Sequence, residues 1–304
     1  MTQPSESLLA HALRAGLAAW GRRLGLLTLA FAAVAVSNIP MQEAQEMALD
    51  RVAAVSRRAD ERGTRVPGEQ EAIEDATALG GACLGLCGAA VFGVAALMPL
   101  VAGASVLGAR SVRGSARAAD LLSGFRRYGP TLVATLVTAL AGGGIAVAVA
   151  TVDTLRLLGS ASSAVGALVP PAVAWSIGAA ISAVTLWLCA RLWFASIRVA
   201  DPDRPRMGGV AAVSASWHWT EGPVQWQVLA LMAIAACVAA LASIPGALTG
   251  RVEADIVGAW VVVTLMLAVF GAAYERLAAA CEPIVPPPAP GALDAGGDHG
   301  GLDA

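Results

Sequence analysis

The sequence predicts an all-α fold: a polytopic integral membrane helical bundle of about six transmembrane helices. Three observations predict it. Six apolar runs, each near one bilayer thickness, carry almost no charge between them. Arginines collect in alternate gaps between those runs. Hydrophobic residues make up 57% of the chain, above the ~45–50% apolar share of ordinary soluble domains, and mean hydropathy is +0.68. A charged side chain at mid-bilayer costs roughly 2.5–3.5 kcal/mol on insertion scales, so long uncharged runs are read as spans.

Residues 1–23 are expected to form a cytoplasmic interfacial segment. Leu8, Leu9, Ala12, Leu13 and Leu17 oppose His11 and Arg14, the spacing of a short amphipathic helix leading to Trp20, Arg22 and Arg23. Residues 24–40 give the first transmembrane helix, its apolar run Leu24 to Ile39 stopping at Pro40. At 1.5 Å per residue that run covers only about 24 Å, short for a ~30 Å hydrocarbon core. Ala33-Val34-Ala35 resembles a signal-peptidase site, but the 23-residue leader favours an uncleaved anchor. Residues 41–79 read as an extracytoplasmic acidic helical hairpin, with nine acids against five arginines. Met41, Ala44, Ala48, Val52, Val55 and Ala59 mark one face of its first helix, which ends near Gly63, and Pro67 opens the second.

Residues 80–280 form a five-helix membrane core. Its runs are Gly80 to Gly108 with Pro99 inside, Thr131 to Val152 with Gly142-Gly143-Gly144, and Pro170-Pro171 to Ile197 with Arg191 near one end. Trp226 to Ile244, stopped by Pro245-Gly246, and Ile256 to Tyr274 complete it. Residues 281–304, rich in Pro, Gly and Asp, read as a disordered cytoplasmic tail. The five cysteines are scattered, mostly within apolar runs, and read as small buried hydrophobes.

Orientation follows from arginine placement. The segment 109–129 holds Arg110, Arg113, Arg117, Arg126 and Arg127, and 198–223 holds Arg198, Arg204 and Arg206, with Arg191 able to snorkel the same way. The opposite gaps hold only Arg156 and Arg251. Both termini are therefore expected in the cytoplasm. Trp20, Trp193, Trp217, Trp219 and Trp226 then fall at the inner interface, and Trp175 and Trp260 near the outer one.

A shift of 93 residues aligns Arg113 with Arg206, Ala118-Ala119 with Ala211-Ala212, Ser123 with Ser216, and Gly129-Pro130 with Gly222-Pro223. The bundle is thus expected to hold two parallel internal repeats with cytoplasmic amphipathic segments. The stretch Asp201-Pro202, Ala211 to Trp217, Gly222 and Trp226 resembles a signature of six-helix bacterial membrane proteins of unknown function. Those are related to the membrane domain of some glycerophosphoryl diester phosphodiesterases. Leu121-Leu122-Ser123-Gly124-Phe125 is similar to another short element of that family. The resemblance covers roughly residues 80–275; it implies a helical membrane module in a bacterial cytoplasmic membrane, without an assigned activity. The soluble phosphodiesterase domain has no counterpart here, so that catalysis is not carried over.

Chemistry is sparse. His11, His218 and His299 lie in separate segments, and no metal-ligand spacing, nucleophile elbow, phosphate loop or metalloprotease pair occurs. No catalytic residue, cofactor or metal is expected, and a net charge of -2 gives no global preference for nucleic acid. Ion-coupled carriers place ionisable groups at mid-membrane, whereas the centres of all six runs lack them. Gly81 and Gly85, at small-xxx-small spacing, and Gly142 to Gly144 suit close helix packing. The candidate site is a contact for anionic lipid or a partner: Arg110, Arg113, Arg117, Arg126, Arg127, Arg204 and Arg206, with Trp217, Trp219 and Trp226. The expected function is a membrane scaffold or a component that binds a partner or lipid. Its partners would be membrane lipids and a membrane or extracytoplasmic protein at residues 41–79. The alternative is an uncoupled transporter or permease for lipid or another uncharged solute.

Overall fold

The structure, a computed structural model, describes residues 7–62, 65, 68–141 and 171–281, without the side chains of residues 60, 171, 172, 174 and 175. It is 91% helical and has no strands among the described residues. The elements are α1 (Leu8–Arg62), α2 (Glu69–Phe92), a π-helical turn (Gly93–Leu97), α3 (Met98–Arg113) and a 3-10 turn (Ala118–Leu122). There follow α4 (Ser123–Arg126), α5 (Tyr128–Ala141), α6 (Pro171–Ala200), α7 (Gly209–Trp219), α8 (Pro223–Thr249) and α9 (Val252–Cys281). Five helices are long and apolar enough to cross a membrane: α1, the continuous Glu69–Arg113, α6, α8 and α9. The protein is an all-α helical membrane bundle. The third apolar run is described only as α5; its remainder, the Gly142 to Gly144 stretch and the tail 282–304 lie outside the described residues.

Exterior side chains state what surrounds the bundle. Leu84 is 76% exposed and Leu248 81% exposed in the bare chain. Such apolar surface belongs against hydrocarbon, where it has no water to avoid. Cys83, Cys87, Cys237 and Cys281 are also exposed and Cys189 is half-buried, all as free thiols. They are thus not core residues as their apolar neighbourhoods suggested: in lipid, a small apolar side chain is as well placed outside as inside.

The chain breaks where the sequence changes character. Arg23 leaves helical geometry (φ -122°, ψ 20°), dividing the amphipathic start of α1 from its apolar part. That start packs into the protein: Leu8 and Ala12 join Phe194, Tyr274 and Leu277 in the main core. Neither Pro40 nor Pro245 stops its helix, contrary to the expectation; α1 runs on to Arg62 and α8 to Thr249. A proline removes one backbone bond but leaves a helix intact where other contacts hold it. Pro99 acts differently. Its ring would crowd the carbonyl of Ala95, and the chain widens to a π-turn across Gly93–Leu97.

Close helix approach occurs at glycines other than those the spacing suggested. Gly81 meets only the flexible side chain of Arg51, and Gly85 faces open space. Gly108 and Gly271 instead bring α3 and α9 into backbone contact. Gly103 and Gly124 likewise let the segment 118–126 fold back against α3, beside Leu121 and Pro99.

The α1 and α2 ends form the hairpin read from 41–79. At 1.5 Å per residue, the part of α1 beyond Pro40 adds about 33 Å. Arg58 pairs with Asp75 at 3.2 Å, Arg62 with Asp75 at 2.5 Å and Arg65 with Glu71 at 2.8 Å.

Candidate functional site

The arginines concentrate at the other end of the bundle, where α3 and α6 finish and α5 and α8 begin. Arg110 and Arg113 lie three apart on α3 and so share a face. Gly114 closes that helix in the left-handed region (φ 79°), and Arg23 donates to its carbonyl at 2.7 Å. Beyond α6, Asp201 accepts a hydrogen bond from the Asp203 amide at 3.1 Å, a tight turn built on Asp-Pro.

This turn drives carboxylates into the arginines. Asp201 is fully buried; its Oδ2 accepts from Arg113 at 2.8 Å and from the Tyr274 hydroxyl at 3.1 Å. Arg113 also pairs with Asp203 at 2.6 Å and with Glu275 at 3.1 Å. Arg110 pairs with Asp203 at 3.1 Å and hydrogen-bonds Asp120, whose other oxygen accepts the Arg117 amide at 2.7 Å. Arg204 lies 3.9 Å from Glu275. One network therefore ties α3, the α6–α7 turn, α9 and the 3-10 turn together. Three arginines there face four carboxylates, and each carboxylate has a guanidinium partner, which is the condition for burying it.

The ten predicted contact residues accordingly separate. Arg110, Arg113 and Arg204 are held by protein carboxylates and are not offered to an outside partner. Trp219 is buried against Tyr274, their rings 6.0 Å apart, and belongs to the core. Trp217 covers Arg191, whose guanidinium lies 4.6 Å from its ring and 5.5 Å from that of Trp187. Arg191 donates to the Trp217 carbonyl at 3.0 Å, so it reaches toward this end without reaching a headgroup. Trp226 is 65% exposed, and Arg117, Arg126 and Arg206 are exposed too. Two other belt tryptophans bind within the bundle, Trp20 donating to Thr264 at 3.0 Å and Trp260 to Thr28 at 2.9 Å, while Trp193 is exposed, its ring 4.9 Å from that of Phe270. The Trp175 side chain lies outside the described residues.

Arg126, Arg127 and Arg206 share a cavity of about 440 Å³ with Ser123, Pro130 and Met207. Arg127 is fixed by backbone oxygens, donating to Val199 at 3.0 Å and Arg204 at 3.3 Å. Burial, then the neighbouring Arg206, hold its guanidinium below the ordinary value, with Asp201 acting in the opposite sense. No side-chain hydrogen bond or ion pair engages Arg126 or Arg206 among the described residues. A second cavity, at the hairpin, is about 240 Å³ and differs in kind: Arg58, Arg62 and Arg65 there face Glu71, Glu74 and Asp75. Among the described residues, no group of three or more His, Cys, Asp or Glu side chains is placed to hold a metal ion.

Comparison with known proteins finds no relative: no family model, no curated protein and no solved structure matches the chain.

The sequence reading missed Asp203 and Glu275 altogether, took Tyr274 only as the end of an apolar run, and took Asp201 only as part of a signature. A signal was present. The count over 198–223 weighed arginines and passed over Asp201 and Asp203 in the same loop. Ser123 was noticed only as a repeat match and as part of a short family-like element.

Proposed function

We propose that this chain is a non-catalytic component of a bacterial cytoplasmic membrane, with both termini in the cytoplasm. Its basic end engages anionic lipid headgroups, and the hairpin at 41–79 contacts a protein partner on the other side. One observation carries the reading. Behind the surface, arginines are neutralised by Asp120, Asp201, Asp203 and Glu275, while Arg117, Arg126 and Arg206 pair with no carboxylate among the described residues. Leu122, Phe125 and Tyr128 are exposed near Arg126 in the sequence, and Trp226 is exposed too. Basic heads among aromatic and aliphatic side chains are the composition that anionic interfaces attract, each Arg contributing about 1 kcal/mol.

The internal repeat belongs to this proposal. The segments carrying Ser123 and Ser216 each fold back on the helix they follow, and both serines are buried. The likeness of 201–226 to the six-helix family supports reading the chain as a helical membrane module.

The test is native mass spectrometry of the full chain in mild detergent with an equimolar mixture of phosphatidylglycerol and phosphatidylcholine. Selective retention of phosphatidylglycerol, lost at high salt, is expected. Equal retention of both lipids overturns the lipid reading. Orientation is read separately, by impermeant labelling of Ala59→Cys and Ser115→Cys in intact cells; only the first should react.

A further inference from the structure

The geometry points to a phosphate-binding pocket at the basic end, in which Arg126, Arg127 and Arg206 surround an anion and the Ser123 hydroxyl donates to it. This deepens the lipid reading above and rests on it for the source of the ligand, though not for the pocket itself.

Two independent observations meet there. The first is charge. Three guanidinium groups line one cavity of about 440 Å³, and no carboxylate is among its described lining residues. Two of them, Arg126 and Arg206, have no side-chain partner among the described residues, and the third is held in place by backbone oxygens that leave its charge uncancelled. Asp201, the acid whose charge is felt at Arg127, has its oxygens occupied by Arg113, Tyr274 and the Asp203 amide. Like charges are gathered here without the counter-charge present at the network next door or at the hairpin cavity. The second is a hydroxyl. Ser123 is 1% exposed, lines the same cavity, and its Oγ has no hydrogen-bond partner among the described residues. A buried hydroxyl in that state is costly unless something accepts from it. The repeat-related Ser216 shows the contrast, since its hydroxyl donates to the Arg191 carbonyl at 2.7 Å.

A phosphate group answers both. Its oxygens accept from several forked guanidinium donors and from a hydroxyl, and its charge offsets the clustered arginines. A carboxylate has two oxygens and serves fewer of these donors. The volume admits a phosphate and part of whatever it is esterified to. Two sources share that chemistry: the headgroup of an anionic phospholipid, or a soluble phosphate.

The test uses the purified full chain in mild detergent, with inorganic phosphate and phosphatidylglycerol as probes. Melting temperature and native mass spectrometry are read at matched ionic strength. Arg126→Ala/Arg206→Ala removes exposed, unpaired side chains and should fold as the wild type does. Ser123→Ala should melt no lower than the wild type without ligand, yet bind about tenfold more weakly, the loss expected for one charge-assisted hydrogen bond. A purely structural hydroxyl would not produce that split. Displacement of bound phosphatidylglycerol by phosphate supports a site open to both sources. Binding of phosphatidylglycerol alone identifies a headgroup, and binding of phosphate alone a soluble ligand. Either supports the pocket if both variants weaken it. If the wild type prefers phosphatidylglycerol and both variants keep that preference, the pocket is overturned while the lipid reading stands. If the wild type shows no lipid preference but binds phosphate through these residues, the lipid reading falls and the pocket stands. Binding of neither probe overturns both.

Discussion

Replacing Asp201 by Asn tests the buried network at its centre. The side chain keeps its shape but loses its charge, and one of its two acceptor oxygens becomes a donor. With the amide nitrogen toward Arg113 and Tyr274, two donors face a third; turned over, it faces the Asp203 amide that Oδ1 now accepts from at 3.1 Å. No rotamer satisfies all three neighbours. Removing one partner from a buried ion pair costs about 3–5 kcal/mol. Arg113 keeps Asp203 at 2.6 Å and Glu275 at 3.1 Å, which argues for the lower end. Adding the weakened Tyr274 bond, about 1 kcal/mol, a loss near 3 kcal/mol is a fair central value. At about 2 °C per kcal/mol for a chain of this size, melting should fall by roughly 6 °C. The assay is thermal unfolding in detergent, run beside Asp203→Asn. Asp203 is 38% exposed, so its loss should cost about 1 kcal/mol or less. A double-mutant cycle with Arg113→Met should show coupling of about 2 kcal/mol, since contacting charges do not behave additively. Equal shifts for the two aspartates, or additivity in the cycle, would refute the reasoning.

Three further outcomes follow from the packing. Gly271→Val drives a side chain into the backbone of Gly108 and Ala109 and should abolish a monodisperse peak in size-exclusion chromatography, whereas Gly85→Val, facing open space, should not. Trp217→Leu leaves the carbonyl that binds Arg191 but removes one of the two indoles beside its guanidinium; melting should fall by about 1–4 °C, for a loss of about 0.5–2 kcal/mol. Asp75→Asn leaves Arg58 with Glu74 at 3.7 Å and Arg62 with Glu71 at 4.0 Å, both longer pairs, and tryptic cleavage at those arginines should rise about fivefold, matching roughly 1 kcal/mol of lost local stability; an unchanged rate counts against the Asp75 pairs.

The bundle was legible because hydrocarbon rejects charge one residue at a time. That rule needs no knowledge of what neighbours what, so the apolar runs and the break at Arg23 read directly from the chain. Packing partners obey no such local rule. Gly81 and Gly85 had the spacing of a helix contact, yet Gly108 and Gly271 make it, because the spacing names a face and the fold chooses which face meets another. The cysteines failed for a related reason: apolarity separates membrane from water but not inside from outside. The site was half legible. Arginine clustering was plain in the sequence, but Arg113 and Asp201 are 88 positions apart, and only the fold reveals which arginines have been neutralised.

That division gives the same residue type two roles at two times. During insertion the chain has no tertiary contacts, so every arginine in a short loop counts alike toward orientation. After folding, Arg110 and Arg113 hold α3 to α9 and the Asp201 turn, while Arg126 and Arg206 face a cavity. Orientation and stability should therefore come apart in the right pair of variants. Arg110→Met/Arg113→Met leaves Arg117, Arg126 and Arg127 in the same loop, so labelling at Ser115→Cys should show unchanged topology. It also strands Asp201 and Asp120 as buried acids without their cations, and melting should fall by at least 6 °C, for about 3 kcal/mol or more. Arg126→Ala/Arg206→Ala removes the same formal charge and should keep both topology and melting temperature. If the two double variants lose stability equally, the arginines act only as interchangeable charge, and the separation between a structural network and an open pocket is wrong.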